Sequence, residues 1–229
     1  MKALARRSEA TEQMDAADLD PATYARVLGD LSRVNAATLA ARPTLAFLAR
    51  ALRGRSRFRL LDVGFGSGDM LRRIARWARH RGLEAELIGV DLNPRSGPVA
   101  LAATPADLVI DYRTGDYRHV SEPLDVVISS LVAHHMTRPE LIAFLRFMDA
   151  RAGVGWLVND LHRHGFAYAG YPLLARILGV DRIVREDGRL SIARAFRPAE
   201  WRQLLGEAGI AGAEVARRFP FRLCVERRF

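Results

Sequence analysis

The chain has 229 residues, of which 49% are hydrophobic and 27% charged, a composition typical of one globular domain with its own core. The net charge of +9 raises nucleic-acid binding as an alternative, but Lys2 is the only lysine and the arginines are scattered, so nucleic acid is not the expected partner. The single cysteine, Cys224, excludes an internal disulfide and a thiolate metal cluster.

The N-terminal part of the chain is predicted to be helical. Residues 1–18 are polar and expected to fray, and they lack the apolar region of a signal peptide. Helices are predicted over 21–28, where an N-cap aspartate precedes proline, over about 31–41, and over 43–53. Residues 1–57 would form a helical cap ahead of the first strand. Because no run approaches the roughly 18 apolar residues of a membrane span, we expect a cytoplasmic location.

A glycine-rich turn follows the first predicted strand, 59–63, and leads into a predicted helix over 69–80. Gly64, Gly66 and Gly68 permit a tight turn and let a ligand approach backbone N–H groups at the positive end of the helix. The turn lacks the lysine of a phosphate-binding P-loop, and an aspartate occupies the third glycine position of the dinucleotide fingerprint. We therefore expect a nucleotide-like ligand that is not recognised through a phosphate.

The remaining sequence alternates between strand and helix patterns, which predicts an α/β fold. The second strand ends in Asp91, whose carboxylate can accept hydrogen bonds from both hydroxyls of a ribose. The pattern indicates a doubly wound, Rossmann-like, seven-stranded and mostly parallel sheet with an antiparallel edge pair. Further strands are predicted at 86–90, 109–114, 124–129, 154–159, 213–219 and 222–228, and further helices at 94–103, 138–150 and 198–208.

One segment, 161–197, is too long to be a simple connection. It contains an apolar and aromatic stretch over 166–178 and follows the carboxyl end of a strand. Ligands bind at that edge of open α/β sheets, so we expect the segment to be a helical lid over a substrate.

Several motifs, in this order, resemble those of the class I S-adenosylmethionine-dependent methyltransferases. Within this class, the motifs look most like those of the branch that acts on quinone precursors and natural products. The resemblance covers about residues 58–229. It implies one methyltransferase domain with S-adenosyl-L-methionine as cofactor. The motifs are Leu61-Asp62-Val63-Gly64-x-Gly66-x-Gly68, Gly89-Val90-Asp91, Gly115-Asp116 and Leu124-Asp125-Val126-Val127-Ile128.

The resemblance also implies roles for individual residues. Asp62 would reach the methionine ammonium, Asp91 the ribose, and Asp116 the adenine amine. N-terminal helices of such enzymes cover the cofactor site, which makes Arg33 and Asn35 possible ligand contacts. The expected cofactor-binding residues are Asp62, Gly64, Phe65, Gly66, Gly68, Asp91, Leu92, Asp116, Tyr117 and Ser130.

Four histidines follow two predicted strands, His134 and His135 after the fourth, and His162 and His164 after the fifth. A histidine with a pKa near 6.5 is mostly a free base at neutral pH and can deprotonate a phenol of pKa near 10. His134 or His162 is the candidate catalytic base, with Asp160 a possible orienting partner. A purely structural role for each histidine stays open.

A metal is not expected, because adjacent imidazoles should diverge and each histidine pair could supply only one ligand easily. Magnesium dependence is also not expected, since residues 129–136 contain no acid where catechol-type methyltransferases carry an aspartate.

These observations predict methyl transfer to a small aromatic or quinonoid acceptor of phenolic or polyketide type, at oxygen in preference to carbon. Three alternatives remain at this point. They are C-methylation of an activated ring, RNA modification, and a regulatory protein that binds the cofactor without catalysis. Signatures of the DNA amino-methylating, cytosine C5 and protein-arginine enzymes are absent, which favours a small acceptor.

Overall fold

In the computed structural model, which describes residues 4–229, seven strands form one sheet in the order β3-β2-β1-β4-β5-β7-β6. All neighbouring strands are parallel except β7, which is antiparallel to both β5 and β6. This confirms the predicted doubly wound, Rossmann-like α/β sheet with an antiparallel edge. The strands are β1 (Arg57–Val63), β2 (Glu84–Asp91), β3 (Asp111–Thr114), β4 (Leu124–Ser130), β5 (Ala152–Leu161), β6 (Glu214–Arg218) and β7 (Arg222–Arg228).

The helices begin and end at the residues that local chemistry favours. Thr137 and Glu140 form a reciprocal capping box at the start of α5, and Gly209 ends α8 in the left-handed conformation. The helices are α1 (Pro21–Ala37), α2 (Ala41–Ala51), α3 (Asp69–His80), α4 (Ser96–Ala102), α5 (Arg138–Arg151), α6 (Gly165–Ile177), α7 (Arg182–Arg194) and α8 (Pro198–Ala208).

Apolar side chains cover both faces of the sheet. On one face Phe144 of α5 and Trp201 of α8 pack in a cluster with Trp156 of β5. On the other, Phe47 of α2 and Leu71 of α3 belong to a second cluster. Burial on both faces explains why the central strands read as continuous apolar runs, and it fixes their carboxyl ends as one rigid edge.

The predicted helices over 21–28 and 31–41 are wrong as separate elements, because α1 is continuous across Gly29. A glycine inside a helix costs about 1 kcal/mol relative to alanine. Here the helix buries Val27 before the glycine and Val34 after it, in a cluster with residues of α6 and α7. The break comes later, at Leu39, which adopts a φ of 52° between α1 and α2.

The expectation that residues 1–18 fray is also wrong for residues 4–18, and residues 1–3 lie outside the part of the chain that the structure describes. Arg7 donates hydrogen bonds to the carbonyl oxygens of Arg194 at 2.6 Å and of His134 at 2.6 Å. The backbone N–H of Gln13 donates to Asp187 at 3.0 Å. The segment is thus fixed by long-range polar contacts, which its own polar composition cannot reveal.

The segment between β5 and α8 folds into α6 and α7, which contact each other and pack against α1. Tyr171 of α6 donates a hydrogen bond to the carbonyl oxygen of Val184 in α7 at 2.8 Å. Together with α1, these helices stand over the carboxyl edge of the sheet. Among residues 4–229, no helix combines the length and apolarity needed to cross a bilayer.

Candidate active site

A cavity of about 780 Å³ lies at the carboxyl edge of the sheet, beneath α1, α6 and α7. The ends of β1, β2, β4 and β5 form its floor, and the segment around Glu12 closes one side. This is the edge where open α/β sheets bind ligands. Most of the predicted site residues line it, namely Asp62, Gly64, Phe65, Gly66, Asp91, Leu92, Tyr117, Ser130 and His134.

The glycine turn has a geometry that side chains would not tolerate. Gly64, Gly66 and Gly68 have φ values of 78°, 53° and 72°. A Cβ atom at Gly64 would lie 2.3 Å from Val132 Cγ2, and one at Gly68 would lie 2.4 Å from the Tyr112 hydroxyl. Gly64 and Gly66 face the cavity, while Gly68 is the N-cap of α3. The turn is therefore a cradle of backbone atoms kept open by its missing side chains.

Asp91 is fixed beside this turn at the end of β2. Its carboxylate accepts hydrogen bonds from the backbone N–H groups of Gly66 at 2.8 Å and Asn93 at 2.8 Å. Burial raises the pKa of Asp91, although these two hydrogen bonds oppose the rise. A carboxylate can accept about four hydrogen bonds, so Asp91 retains capacity for ligand hydroxyls on the cavity side.

Asp62 at the end of β1 is only 1% exposed, and its Oδ1 has no hydrogen-bond partner among residues 4–229. Burial, with a further contribution from the charge of Asp91, raises the pKa of Asp62 to about 7. A buried carboxylate without a partner is unfavourable, and a cationic ligand group would relieve it. The glycine cradle, Asp91 and this unpaired acid fit S-adenosylmethionine, whose adenosine carries an amino acid with an ammonium group.

The structure separates two residues that were expected at the adenine. Tyr117 lines the cavity and packs against Phe144 and Phe147, with ring centroids 5.0 and 4.7 Å apart. The Asp116 carboxylate does not line it and instead accepts a hydrogen bond from Arg118 Nε at 3.0 Å. That interaction lowers the pKa of Asp116. A local arginine two residues along the chain therefore takes the carboxylate that the sequence motif assigned to the ligand.

His134 and Asp160 form a buried pair where β4 and β5 end. The ring Nδ1 lies 2.7 Å from Asp160 Oδ1, and the backbone N–H of His134 donates to Oδ2 at 2.8 Å. Burial alone would raise the pKa of Asp160. The positive charge of the protonated His134 ring and the hydrogen bond that this ring donates outweigh burial, so the pKa of Asp160 is lowered. Because an ionised carboxylate only accepts hydrogen bonds, Nδ1 carries the proton and Nε2 is left as the basic atom.

Glu12 lies near that basic atom and also near the neighbouring histidine, His135. Glu12 Oε1 lies 3.7 Å from His134 Nε2, and Glu12 Oε2 lies 3.7 Å from His135 Nε2. Burial raises the pKa of Glu12 to about 7, although His135 opposes the rise. Asp15 orients His135 through its Nδ1 at 3.1 Å. No sequence motif indicated Glu12 or Asp15, because they reach the site from a distant part of the chain.

Three of these side chains, Glu12, His134 and His135, could also act as metal ligands. Donor atoms of Glu12, His134 and His135 all lie within 4.8 Å of one another. The ring centroids of the two histidines are 4.3 Å apart, contrary to the expectation that adjacent imidazoles diverge. The reason is the 3₁₀ turn Ala133–His135, which replaces the extended backbone on which that expectation depended.

The other two histidines do not line the cavity. The backbone N–H of His162 donates to the Phe221 carbonyl oxygen at 3.0 Å. Burial and the nearby charge of Arg217 lower the pKa of its ring to about 4. His164 accepts a hydrogen bond from the backbone N–H of Phe166 and caps α6. Only the pair after β4 is thus placed to meet a ligand.

Of the two contacts expected from α1, Asn35 lines the cavity and Arg33 does not. The guanidinium of Arg33 instead donates to the Leu178 carbonyl oxygen at 2.6 Å, which ties α1 to the end of α6.

Comparison with known proteins adds family evidence to this geometry. A family model described as a methyltransferase domain matches residues 60–152, from β1 to the start of β5. The chain is 31% identical over 160 residues to the ubiquinone biosynthesis O-methyltransferase of Cereibacter sphaeroides, covering 66% of this chain and 60% of that protein. It is 29% identical over 178 residues to the protein of the same name from Azorhizobium caulinodans, covering 73% and 64% respectively. The chain therefore spans less than two thirds of the length of either relative.

Solved structures share the fold at lower identity. The plantazolicin methyltransferase crystallised with a triazolic desmethyl analogue and S-adenosylhomocysteine superposes with a TM-score of 0.64 at 16% identity, over 85% of this chain and 71% of that one. The magnesium protoporphyrin IX methyltransferase of Synechocystis with bound S-adenosylhomocysteine gives 0.56 at 16% identity, over 93% and 90%. At these identities the likeness concerns the fold.

Proposed function

The chain belongs to the class I S-adenosylmethionine-dependent methyltransferases, and we propose that it transfers a methyl group to a hydroxyl oxygen of a small aromatic molecule. One observation carries the choice of oxygen. His134, which Asp160 orients, stands in the wall of the same cavity that contains the glycine turn and Asp91. The two relatives named as ubiquinone biosynthesis O-methyltransferases support a phenolic or quinonoid acceptor.

The cofactor would bind over β1 and β2. Asp91 would accept the ribose hydroxyls, Asp62 the ammonium, and the backbone of Gly64 and Gly66 would lie against the ligand. When bound, S-adenosylmethionine supplies a methyl group made electrophilic by the positive sulfur. Tyr117 would be an apolar contact for the adenine ring. Asp116 would not contact the adenine, because Arg118 engages its carboxylate.

The protein's own contribution is to remove the acceptor's proton. The O–H bond of the acceptor breaks and the proton moves to His134 Nε2, which leaves the electron pair on oxygen as the nucleophile. Asp160 keeps the ring oriented and stabilises the imidazolium that forms, as its hydrogen bond to Nδ1 at 2.7 Å allows. Glu12 Oε1 lies 3.7 Å from Nε2, beyond direct hydrogen-bond distance, so Glu12 is a neighbour of the catalytic histidine and not its direct proton acceptor.

The character of the cavity supports an apolar, aromatic acceptor. Side chains from α1, α6 and α7 that face it are mainly aliphatic or aromatic, namely Leu28, Leu31, Val34, Phe166, Tyr171, Leu174 and Ile192. We propose that residues 1–57 act as a cap and the segment 161–197 as a lid. Both would exclude water from the deprotonated oxygen and position it for attack.

The proposal is tested by incubating the protein with S-adenosylmethionine and a panel of phenols, hydroquinones and resorcinols. Mass spectrometry should find products heavier by one CH2 group, and methoxy signals in NMR should assign the new bond to oxygen. A product methylated at ring carbon would refute the choice of oxygen. Failure of the purified protein to bind S-adenosylhomocysteine in calorimetry would refute the cofactor site itself.

A further inference from the structure

A buried arginine in the cavity wall has no role in the proposed mechanism. Arg222 begins β7, is only 3% exposed, and lines the cavity. Its Nη2 donates to Thr38 Oγ1 at 3.2 Å, whereas its Nη1 has no hydrogen-bond partner among residues 4–229. The wall therefore contains a guanidinium with an unused donor.

No carboxylate among residues 4–229 forms a salt bridge with this guanidinium, which is unusual for a buried arginine. Asp160 is the nearby acid that favours its charged form, but both Asp160 oxygens already accept hydrogen bonds from His134 and Leu161. Burial lowers the pKa of Arg222 to about 10, so the side chain stays positively charged at neutral pH. A buried cation with a free N–H group is a site for an anion.

The position of Arg222 in the sheet indicates which ligand supplies that anion. In the strand order, β7 is separated from β1 by β4 and β5, a distance of about 14 Å at the usual strand spacing. Asp62 and Asp91 lie on the far side, at the ends of β1 and β2. Arg222 lies beside Leu161 of β5, with which it pairs in register. It is therefore on the acceptor's side of the cavity.

We propose that Arg222 binds a carboxylate, and that this carboxylate belongs to the methyl acceptor. The inference rests on the proposed function and narrows its acceptor to an aromatic acid. Nη1 and Nη2 of one guanidinium can bind two oxygens of a carboxylate, and the apolar surroundings strengthen such a pair. The acid would be held at the β7 side while its hydroxyl reaches His134. The other source of the same chemistry is the methionyl carboxylate of the cofactor.

Binding experiments separate the two sources without requiring turnover. Calorimetry on the protein saturated with S-adenosylhomocysteine would compare protocatechuate, which carries a carboxylate, with catechol, which does not. We expect protocatechuate to bind more tightly, and Arg222→Gln to weaken it roughly tenfold or more while leaving catechol unchanged. Arg222→Lys should weaken it less, and Arg228→Gln, an exposed control on the same strand, should change neither.

Two binding results would overturn the assignment. If Arg222→Gln weakens S-adenosylhomocysteine and not protocatechuate, the carboxylate is the cofactor's. If the wild-type protein binds protocatechuate no better than catechol, no acceptor carboxylate is recognised. If Arg222 has a structural role instead, Arg222→Gln should lower the melting temperature. Replacing a buried cation that has no countercharge should leave the melting temperature unchanged or raise it. Tight binding of protocatechuate without methylation would refute the proposed function and leave the site intact.

Discussion

Cofactor binding should depend on pH because of the buried acid at the end of β1. The pKa of Asp62 is about 7 in the cofactor-free protein, as a result of burial and the neighbouring charge of Asp91. A bound ammonium favours the ionised carboxylate, so the pKa of Asp62 must fall when the cofactor binds. Binding at acidic pH therefore requires that Asp62 first lose its proton, and affinity should decrease as the pH falls below 7.

The size of the effect follows from the titration. With a pKa of about 7, Asp62 is ionised in roughly 90% of molecules at pH 8 and roughly 10% at pH 6. The affinity should thus drop nearly tenfold between these pH values, which corresponds to about 1.3 kcal/mol. Formation of the complex should release close to one proton at pH 6 and almost none at pH 8.

Calorimetry with S-adenosylhomocysteine, which keeps the ammonium and does not react, measures both quantities. Titrations at pH 6 and 8, each in two buffers of different protonation enthalpy, give the affinity and the number of protons released. Asp62→Asn should bind more weakly and lose the pH dependence. Glu12→Gln is the matched control, because the pKa of Glu12 is also about 7 but this side chain faces the histidines. Equal affinity at both pH values, or a pH dependence that survives in Asp62→Asn, would show that Asp62 does not control the pH dependence of cofactor binding.

Four further outcomes are expected. His134→Gln should lower kcat on a phenol by roughly 10²- to 10⁴-fold, whereas His162→Gln, outside the cavity, should change it little; equal losses in steady-state assays would contradict the assignment of the base. Gly64→Ala should abolish S-adenosylhomocysteine binding in calorimetry and lower the melting temperature, because Gly64 has a φ of 78°. Gly29→Ala should instead stabilise α1, and urea unfolding should show a gain of up to about 1 kcal/mol. Asp62 binds a proton more readily in the folded than in the unfolded protein, so it increasingly destabilises the cofactor-free protein as the pH rises from about 4 to 7. Asp62→Asn should therefore raise the free energy of unfolding at pH 8. A decrease in that free energy would contradict the raised pKa of Asp62.

The site itself was only partly predictable from the motifs. The glycine turn and Asp91 lie where the sequence placed them, because a strand, a turn that needs positive φ and a helix N-terminus constrain one another over a few residues. Asp116 does not face the cavity, although its motif is intact, because the motif cannot specify competition from Arg118 for the carboxylate. The sequence left His134 and His162 as alternative candidates for the catalytic base, and the 3₁₀ turn Ala133–His135 places His134 at the cavity.

The order of strands and helices along the chain, the glycine turn and the acid at the end of β2 could be predicted from the sequence alone, since each depends on hydrophobic periodicity or backbone constraints within a short stretch. The packing of distant segments against one another places Glu12 near His134, more than a hundred residues away, and lets α1 continue through Gly29. The same packing places Arg222 at the cavity without a countercharge from residues 4–229. These features depend on which distant surfaces pack together, and the free energy of that packing is not encoded in any single segment of the chain.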